Sequence, residues 1–157
     1  MAQLVSRVSG AIYGTLAVAV LLAAESAEGH TYATTVEAAS VTLIAYWLAH
    51  GYAHGLAARL ASSEPASSTS LLRSLGREAG VLLGGLIPLT SLAGCWFAGV
   101  DLGLALDIGV WTAAGSLLVV ELVAGMHGAS RVRDLIQDGV LSLALAASVV
   151  FLRVLLH

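Results

Sequence analysis

Five apolar stretches, separated by short polar segments, divide this chain of 157 residues. Each is long enough to cross a bilayer, which takes about 20 apolar residues in a helix. Only 11% of the residues are charged, against roughly 25% in soluble domains, and the mean hydropathy is +0.90. We therefore predict an all-α polytopic membrane protein, with about five transmembrane helices in a compact bundle within the lipid bilayer. The predicted spans cover residues 5–24, 38–60, 80–98, 105–126 and 139–156.

These spans predict a single transmembrane domain over residues 1–157. The longest polar interruption, residues 61–70, is rich in serine and contains Pro65, a composition typical of a flexible linker, here on the cytoplasmic side. In the segment that follows, leucines alternate with the charged residues Arg73, Arg77 and Glu78, which predicts a short interfacial helix leading into the third span.

The first span has two interpretations. Arg7 precedes an apolar stretch that small residues follow, which is also the pattern of a cleavable signal peptide. Gly10 and Gly14 carry the spacing with which membrane helices pack closely. We therefore expect this segment to be retained as the first helix.

Arginine placement predicts the orientation. If the five spans cross the membrane in alternating directions, Arg153 alone lies on one side of it. The other six arginines lie on the opposite side: Arg7, Arg59, Arg73, Arg77, Arg131 and Arg133. The positive-inside rule then places the N-terminus in the cytoplasm and the C-terminus outside. Arg153 is expected to extend toward the outer headgroups, with its guanidinium in water. Since lysine and asparagine are both absent, which is typical of high-GC bacteria, we predict the bacterial inner membrane.

Pro88 lies near the middle of the third span, behind Gly84 and Gly85. Proline removes a backbone donor and crowds the carbonyl four residues earlier, so a kink is expected there. The kink either improves packing alone, or these three residues form a gating hinge that lines a cavity.

The second span carries a polar stripe. It opens with Thr34 and Glu37, the spacing of a capping box that would start a helix. Tyr46, His50 and His54 then follow at intervals of four and share one helix face. Polar groups are costly in lipid, so this face should point into the bundle, a cavity or a subunit interface.

Two acidic residues on the fourth span complete a candidate transport path. Glu121 lies about as far from its arginine-rich end as His54 does from its own, so the two side chains are predicted to meet. Asp107 lies near the opposite mouth, where it either attracts cations or caps a helix end. The predicted stripe therefore runs through His50, His54, Glu121, Tyr46 and Asp107.

The same residues allow a metal hypothesis. Histidines at i and i+4 can share one ion, and Glu121 would add a third ligand to His50 and His54. The chain has no HExxH motif, and its five histidines are too few for a histidine-rich di-iron site. We therefore expect no cofactor, with a bound divalent metal ion as the alternative.

Three strings carry a resemblance to small multi-pass integral membrane proteins of high-GC bacteria: Gly10-Ala-Ile-Tyr-Gly-Thr15, Tyr46-Trp47-x-x-His50 and the terminal Leu155-Leu156-His157. The second string also resembles the second helix of the bacterial relatives of lysosomal potassium channels. In those relatives, an arginine of the first helix is followed by a Phe-Ser-Asp aspartate. No such aspartate follows Arg7 in this chain. The resemblance therefore implies a membrane protein and transfers no pore residue.

Two classes of function compete. We expect a transporter or channel that conducts protons or small cations along the stripe. The alternative is a noncatalytic membrane subunit or scaffold that docks helices of a second copy, as a homo-oligomer, or of a membrane-protein partner. A metal-dependent membrane enzyme comes third, and an enzyme is not the expectation because no nucleophile and base pair is visible. No nucleic acid is expected as a partner.

Overall fold

The computed structural model describes residues 2–62, 68–128 and 132–156. This part of the chain forms six helices and no strand, which confirms the all-α prediction. Four of the five predicted spans fall wholly within helices, and the third, 80–98, extends one residue past the end of its helix. The helices are α1 (Ala2–Ala24), α2 (Tyr32–Ser62), α3 (Ser68–Arg77), α4 (Ala79–Phe97), α5 (Leu102–Gly128) and α6 (Val132–Leu156).

Helix α2 begins at Tyr32, one turn earlier than the predicted start. The cap is Thr31, whose N–H donates to Thr34 Oγ1 at 2.9 Å while the Thr34 N–H donates to Thr31 Oγ1 at 3.3 Å. The two threonines therefore satisfy the first free amides reciprocally, as a capping box does. The predicted box of Thr34 and Glu37 was wrong because an equivalent hydroxyl pair lies three residues upstream.

The predicted linker is helical at both of its ends. Residues 61–62 are the last residues of α2, and residues 68–70 form the first turn of α3. Residues 63–67 lie outside the described part of the chain. The short helix expected before the third span is present as α3.

Helix α1 occupies the centre of the bundle and contacts α2, α4, α5 and α6. Four apolar residues in its second half are fully buried, and the neighbouring helices enclose them with leucine and valine side chains. The innermost residues are Val18, Ala19, Leu22 and Ala23 of α1, with Val81, Leu92, Leu106, Val110 and Val149 around them.

Helices α1 and α4 meet backbone to backbone. A Cβ atom on Gly14 would overlap the carbonyl oxygen of Val81, and one on Gly84 would overlap that of Ala11. Thr15 Oγ1 bridges the two helices by donating to Gly84 O at 3.0 Å. Such contacts require residues without side chains, which is the role that the spacing of Gly10 and Gly14 indicated.

The proposed hinge residues lie inside α4, which runs from Ala79 to Phe97 with Pro88 buried within it. Gly84 packs against α1, as described above, and Gly85 faces Leu43 of α2. Both glycines therefore serve as points of close helix contact. A gating role for Pro88, Gly84 and Gly85 stays a prediction.

Two segments are long and apolar enough to cross a membrane, Ala79–Phe97 and Leu102–Val120. Val8–Ala24 and Leu143–Leu156 are apolar but shorter. Among the described residues, the structure therefore supports two of the predicted spans by length and composition, and gives helices at the other three.

Two buried threonines should respond oppositely to replacement by valine. Thr35 Oγ1 is buried and has no hydrogen-bond partner among the described residues, whereas Thr15 Oγ1 contacts two carbonyl oxygens. An unsatisfied buried hydroxyl costs about 1–3 kcal/mol, and a hydrogen bond contributes about 1 kcal/mol. We expect Thr35→Val to raise the melting temperature in detergent and Thr15→Val to lower it. Equal shifts of the same sign would contradict this assignment.

Candidate functional site

Two histidines and one buried carboxylate come together at the end of the bundle that carries α3. His50 Nε2 lies 3.5 Å from Glu78 Oε2, and His54 Nδ1 lies 3.7 Å from Glu78 Oε1. The imidazole rings of His50 and His54 are 4.7 Å apart between centroids. We call these three residues the His-Glu cluster.

Glu78 is the single residue between α3 and α4. Its N–H donates to Ser74 O at 3.2 Å, and its carbonyl accepts from the Val81 N–H at 3.0 Å, so the backbone turns from one helix directly into the next. The side chain makes no capping hydrogen bond to α4. It is directed at the histidines instead, and the residue is only 4% exposed.

Helix α3 is fixed on α2 by two hydrogen bonds that flank the cluster. Trp47 Nε1 donates to Leu75 O at 3.1 Å, and Ser74 Oγ donates to Gly51 O at 2.8 Å. Gly51 lacks a side chain, so Leu75 packs directly over it. This docking sets where α3 ends, and therefore where Glu78 meets α2.

Aromatic rings surround His50. The Tyr13 ring of α1 lies 5.3 Å from the imidazole, and the Tyr46 ring lies 6.2 Å away with the two planes 12° apart. The His50 side chain is 19% exposed and that of His54 is 59% exposed. His50 thus faces the bundle, whereas Tyr46 and His54 lie at its edge.

The carboxylate that sequence reasoning chose for this site was Glu121. Its backbone lies in α5, and its side chain is outside the described part of the structure. The predicted contact of His54 with Glu121 stays a prediction, as does a metal site of His50, His54 and Glu121. Glu78 was missed because it was grouped with the charged face of the interfacial helix. It nevertheless precedes the third span on the side where the second span ends, so the depth argument used for Glu121 applied equally to it.

Asp107 lies at the opposite end of the bundle, away from the His-Glu cluster. Arg153 Nε donates to Asp107 Oδ1 at 2.8 Å, and Arg153 Nη1 donates to Glu25 O at the end of α1 at 2.6 Å. The Arg153 side chain is only 14% exposed. The expectation of a solvated guanidinium is therefore replaced by an ion pair that joins α1, α5 and α6.

Other polar groups at this end are also paired. His30 Nδ1 lies 2.7 Å from Glu25 Oε1, and the Tyr32 hydroxyl donates to Val100 O at 2.7 Å. Burial raises the pKa of Tyr32 above its ordinary value of 10.0, and the nearby Cys95 and Asp101 raise it further. Tyr32 therefore stays protonated at neutral pH and keeps its hydrogen bond.

The His-Glu cluster can hold a cation. Each imidazole can offer one lone pair, and an ionised carboxylate offers acceptor oxygens only. The Glu78 carboxylate is buried, and positive charge close to a buried carboxylate is favourable.

No protein-family model matches this chain, and neither does a curated protein or a solved structure. The resemblance to small bacterial membrane proteins accordingly stays a prediction. The geometry of the His-Glu cluster, and not a relative, is what supports a function.

Proposed function

We propose that this chain is an integral membrane protein of five spans that transports a proton or a small cation through the His-Glu cluster. The single observation that carries the proposal is the buried carboxylate of Glu78, with two imidazoles within 3.7 Å of its oxygens. An ionisable residue that faces the interior of a membrane bundle is by default a candidate for an ion pathway.

The outer surface of the bundle supports insertion into a membrane. Only 39% of each candidate spanning segment is buried, whereas an apolar core helix of a soluble domain is buried on most sides. Large apolar side chains cover the exposed faces, among them Phe97 at 90% exposure and Trp111 and Phe151 at 64%. From the absence of lysine and asparagine we assign the protein to the bacterial inner membrane, and from the arginine distribution we orient it with the N-terminus in the cytoplasm and the C-terminus outside.

The interior favours a transporter over an open channel. Between the His-Glu cluster and the Asp107 ion pair lie closely packed apolar side chains, including Leu43, Leu89 and Leu92. A hydrated ion does not cross such a core unless the helices move. Gly85 and Pro88 lie in this region of α4, where a change in helix geometry would open a route.

Flux into proteoliposomes tests the proposal. The purified chain is reconstituted, gradients of protons, monovalent cations and divalent cations are imposed in turn, and an entrapped dye reports each ion. We expect flux above that of empty liposomes for at least one cation, and a fall to the empty-liposome level in His50→Ala and Glu78→Gln. His30→Ala, in a histidine and glutamate pair at the other end, should keep wild-type flux.

Two outcomes would overturn the proposal. Absence of flux for every cation removes the transport function, and unchanged flux in both cluster variants removes the cluster from the path. Glu121→Gln belongs in the same series, because its loss of flux would place Glu121 on the path as the sequence predicted.

A second candidate is a noncatalytic membrane subunit that docks helices of a second copy or of a membrane-protein partner. It is favoured by one feature of α2, an exposed row of small side chains at intervals of four: Ala45, Ala49, Ala53 and Ala57. Small residues at this spacing let membrane helices approach closely. A folded chain that transports nothing and sediments as an oligomer in micelles would support this candidate.

A further inference from the structure

The His-Glu cluster has the donor set of a transition-metal site. His50 and His54 lie on one face of α2 at i and i+4, and Glu78 approaches from the α3–α4 junction. One ligand atom from each residue lies within 4.8 Å of the other two. Histidine pairs at this spacing bind zinc when a carboxylate supplies a third ligand.

The distances are close to those that a bound ion would impose. Zinc bonds to nitrogen and oxygen of about 2.0–2.1 Å, in tetrahedral geometry, separate neighbouring ligand atoms by about 3.3 Å. Each imidazole lies near this distance from one of the two Glu78 oxygens, His50 at 3.5 Å from Oε2 and His54 at 3.7 Å from Oε1, and one ligand atom from each of the three residues lies within 4.8 Å of the others, so the site has to close slightly around an ion. Because the His54 side chain is 59% exposed, its ring can rotate toward the ion without disturbing the core.

The donor chemistry selects the class of ion. Two imidazole nitrogens and one carboxylate suit zinc and its first-row neighbours, whereas magnesium and calcium prefer shells made of oxygen alone. Three protein ligands leave a fourth position open to water or to an exchanging ligand. An ion that must be released to be transported needs such an incomplete shell.

The surroundings would hold the ligands in position. The Tyr13 and Tyr46 rings restrict the His50 imidazole, and the docking of α3 through Trp47 and Ser74 places Glu78. Glu78 is the buried floor of the site and His54 its exposed side, so an ion would approach past His54.

We infer that the cation of this protein is a divalent first-row transition-metal ion of the Zn²⁺ class, held by His50, His54 and Glu78. The statement that this ion is the one transported rests on the proposed transport function. Binding itself follows from the three ligands alone, so it can be tested separately.

Cobalt binding is the direct test. The full-length chain in micelles is stripped with a chelator and titrated with Co²⁺, whose tetrahedral complexes absorb visible light far more strongly than the hydrated ion. We expect the absorption to saturate at one Co²⁺ per chain and to disappear on addition of Zn²⁺, which binds such sites more tightly. Glu78→Gln and His54→Ala should each weaken binding by roughly 100-fold, since even loss of an outer-shell partner costs about 10–100-fold.

His30→Ala is the matched control and should bind Co²⁺ like the wild type. His54 is exposed, so His54→Ala removes a ligand without opening the core, and circular dichroism verifies its helix content. Absence of a tetrahedral Co²⁺ spectrum in the wild type would overturn the inference. Retained binding in Glu78→Gln together with lost binding in Glu121→Gln would also overturn it, in favour of the other carboxylate.

The Co²⁺ titration tests metal binding and the flux assay tests transport, so either hypothesis can fail without the other. Co²⁺ binding without transport of any cation would leave the metal site standing and remove the transport function. Proton flux in a chain that binds no Co²⁺ would keep the transport function and remove the metal site.

Discussion

Gly84→Ala is expected to destabilise the bundle strongly, because among the glycines of the described helices only Gly14 has backbone atoms of another helix equally close. The new Cβ would overlap the carbonyl oxygen of Ala11, and backbone atoms cannot rotate away as a side chain can. Overpacking typically costs about 1–3 kcal/mol, and separation of the helices would also break the hydrogen bond from Thr15 to Gly84, worth about 1 kcal/mol. We therefore expect a loss of about 3 kcal/mol in the free energy of unfolding, measured by chemical denaturation in micelles.

Gly94→Ala is the matched control on the same helix. A Cβ at this position meets nothing within 4 Å, and alanine favours a helix over glycine by up to about 1 kcal/mol. This variant should be as stable as the wild type or slightly more stable. If Gly84→Ala denatured at the same midpoint as Gly94→Ala, the close contact of α1 with α4 would be wrong.

Arg153→Leu is expected to cause the second largest loss. Replacement leaves Asp107 without its partner and the Glu25 carbonyl without a donor. Breaking a fully buried ion pair costs about 3–5 kcal/mol. The Asp107 side chain is 50% exposed, so water can solvate the carboxylate that is left unpaired, and this lowers the cost. We expect a loss of about 2 kcal/mol, between the buried and surface limits, read from denaturation midpoints.

A double-mutant cycle separates the ion pair from the other contacts of Arg153. Asp107→Leu combined with Arg153→Leu should lose less stability than the two single changes added together, because neither charge is then left unpaired. Arg73→Leu, at an exposed position of α3, serves as the control for removal of a positive charge. Additive losses in the cycle would show that Asp107 and Arg153 do not interact.

The helices were predictable because their signal is local. An apolar run of membrane length favours a helix whatever it packs against, and all five runs are helical. Their ends were less predictable, as α2 illustrates, because several hydroxyl side chains near Thr31 compete to cap the same amides.

The candidate site was predictable only in part. The i, i+4 spacing placed His50 and His54 on one face without knowledge of the fold. Their carboxylate partner depends on how α3 docks on α2, and that docking uses main-chain oxygens of Leu75 and Gly51. Any residue can supply a carbonyl oxygen, so no sequence pattern marks the contact. The depth of Glu78 beside the end of the second span was a usable signal, but it did not favour Glu78 over Glu121.

The central position of α1 has a consequence for assembly. Helix α1 is synthesised before the helices α4, α5 and α6 that it contacts, and the hydrogen bond from Arg153 to Glu25 spans 128 residues. Contacts of such long range form slowly, because the intervening chain must be ordered first. The glycine face of α1 therefore stays uncovered until α4 has been synthesised, and the bundle closes only when α6 is complete.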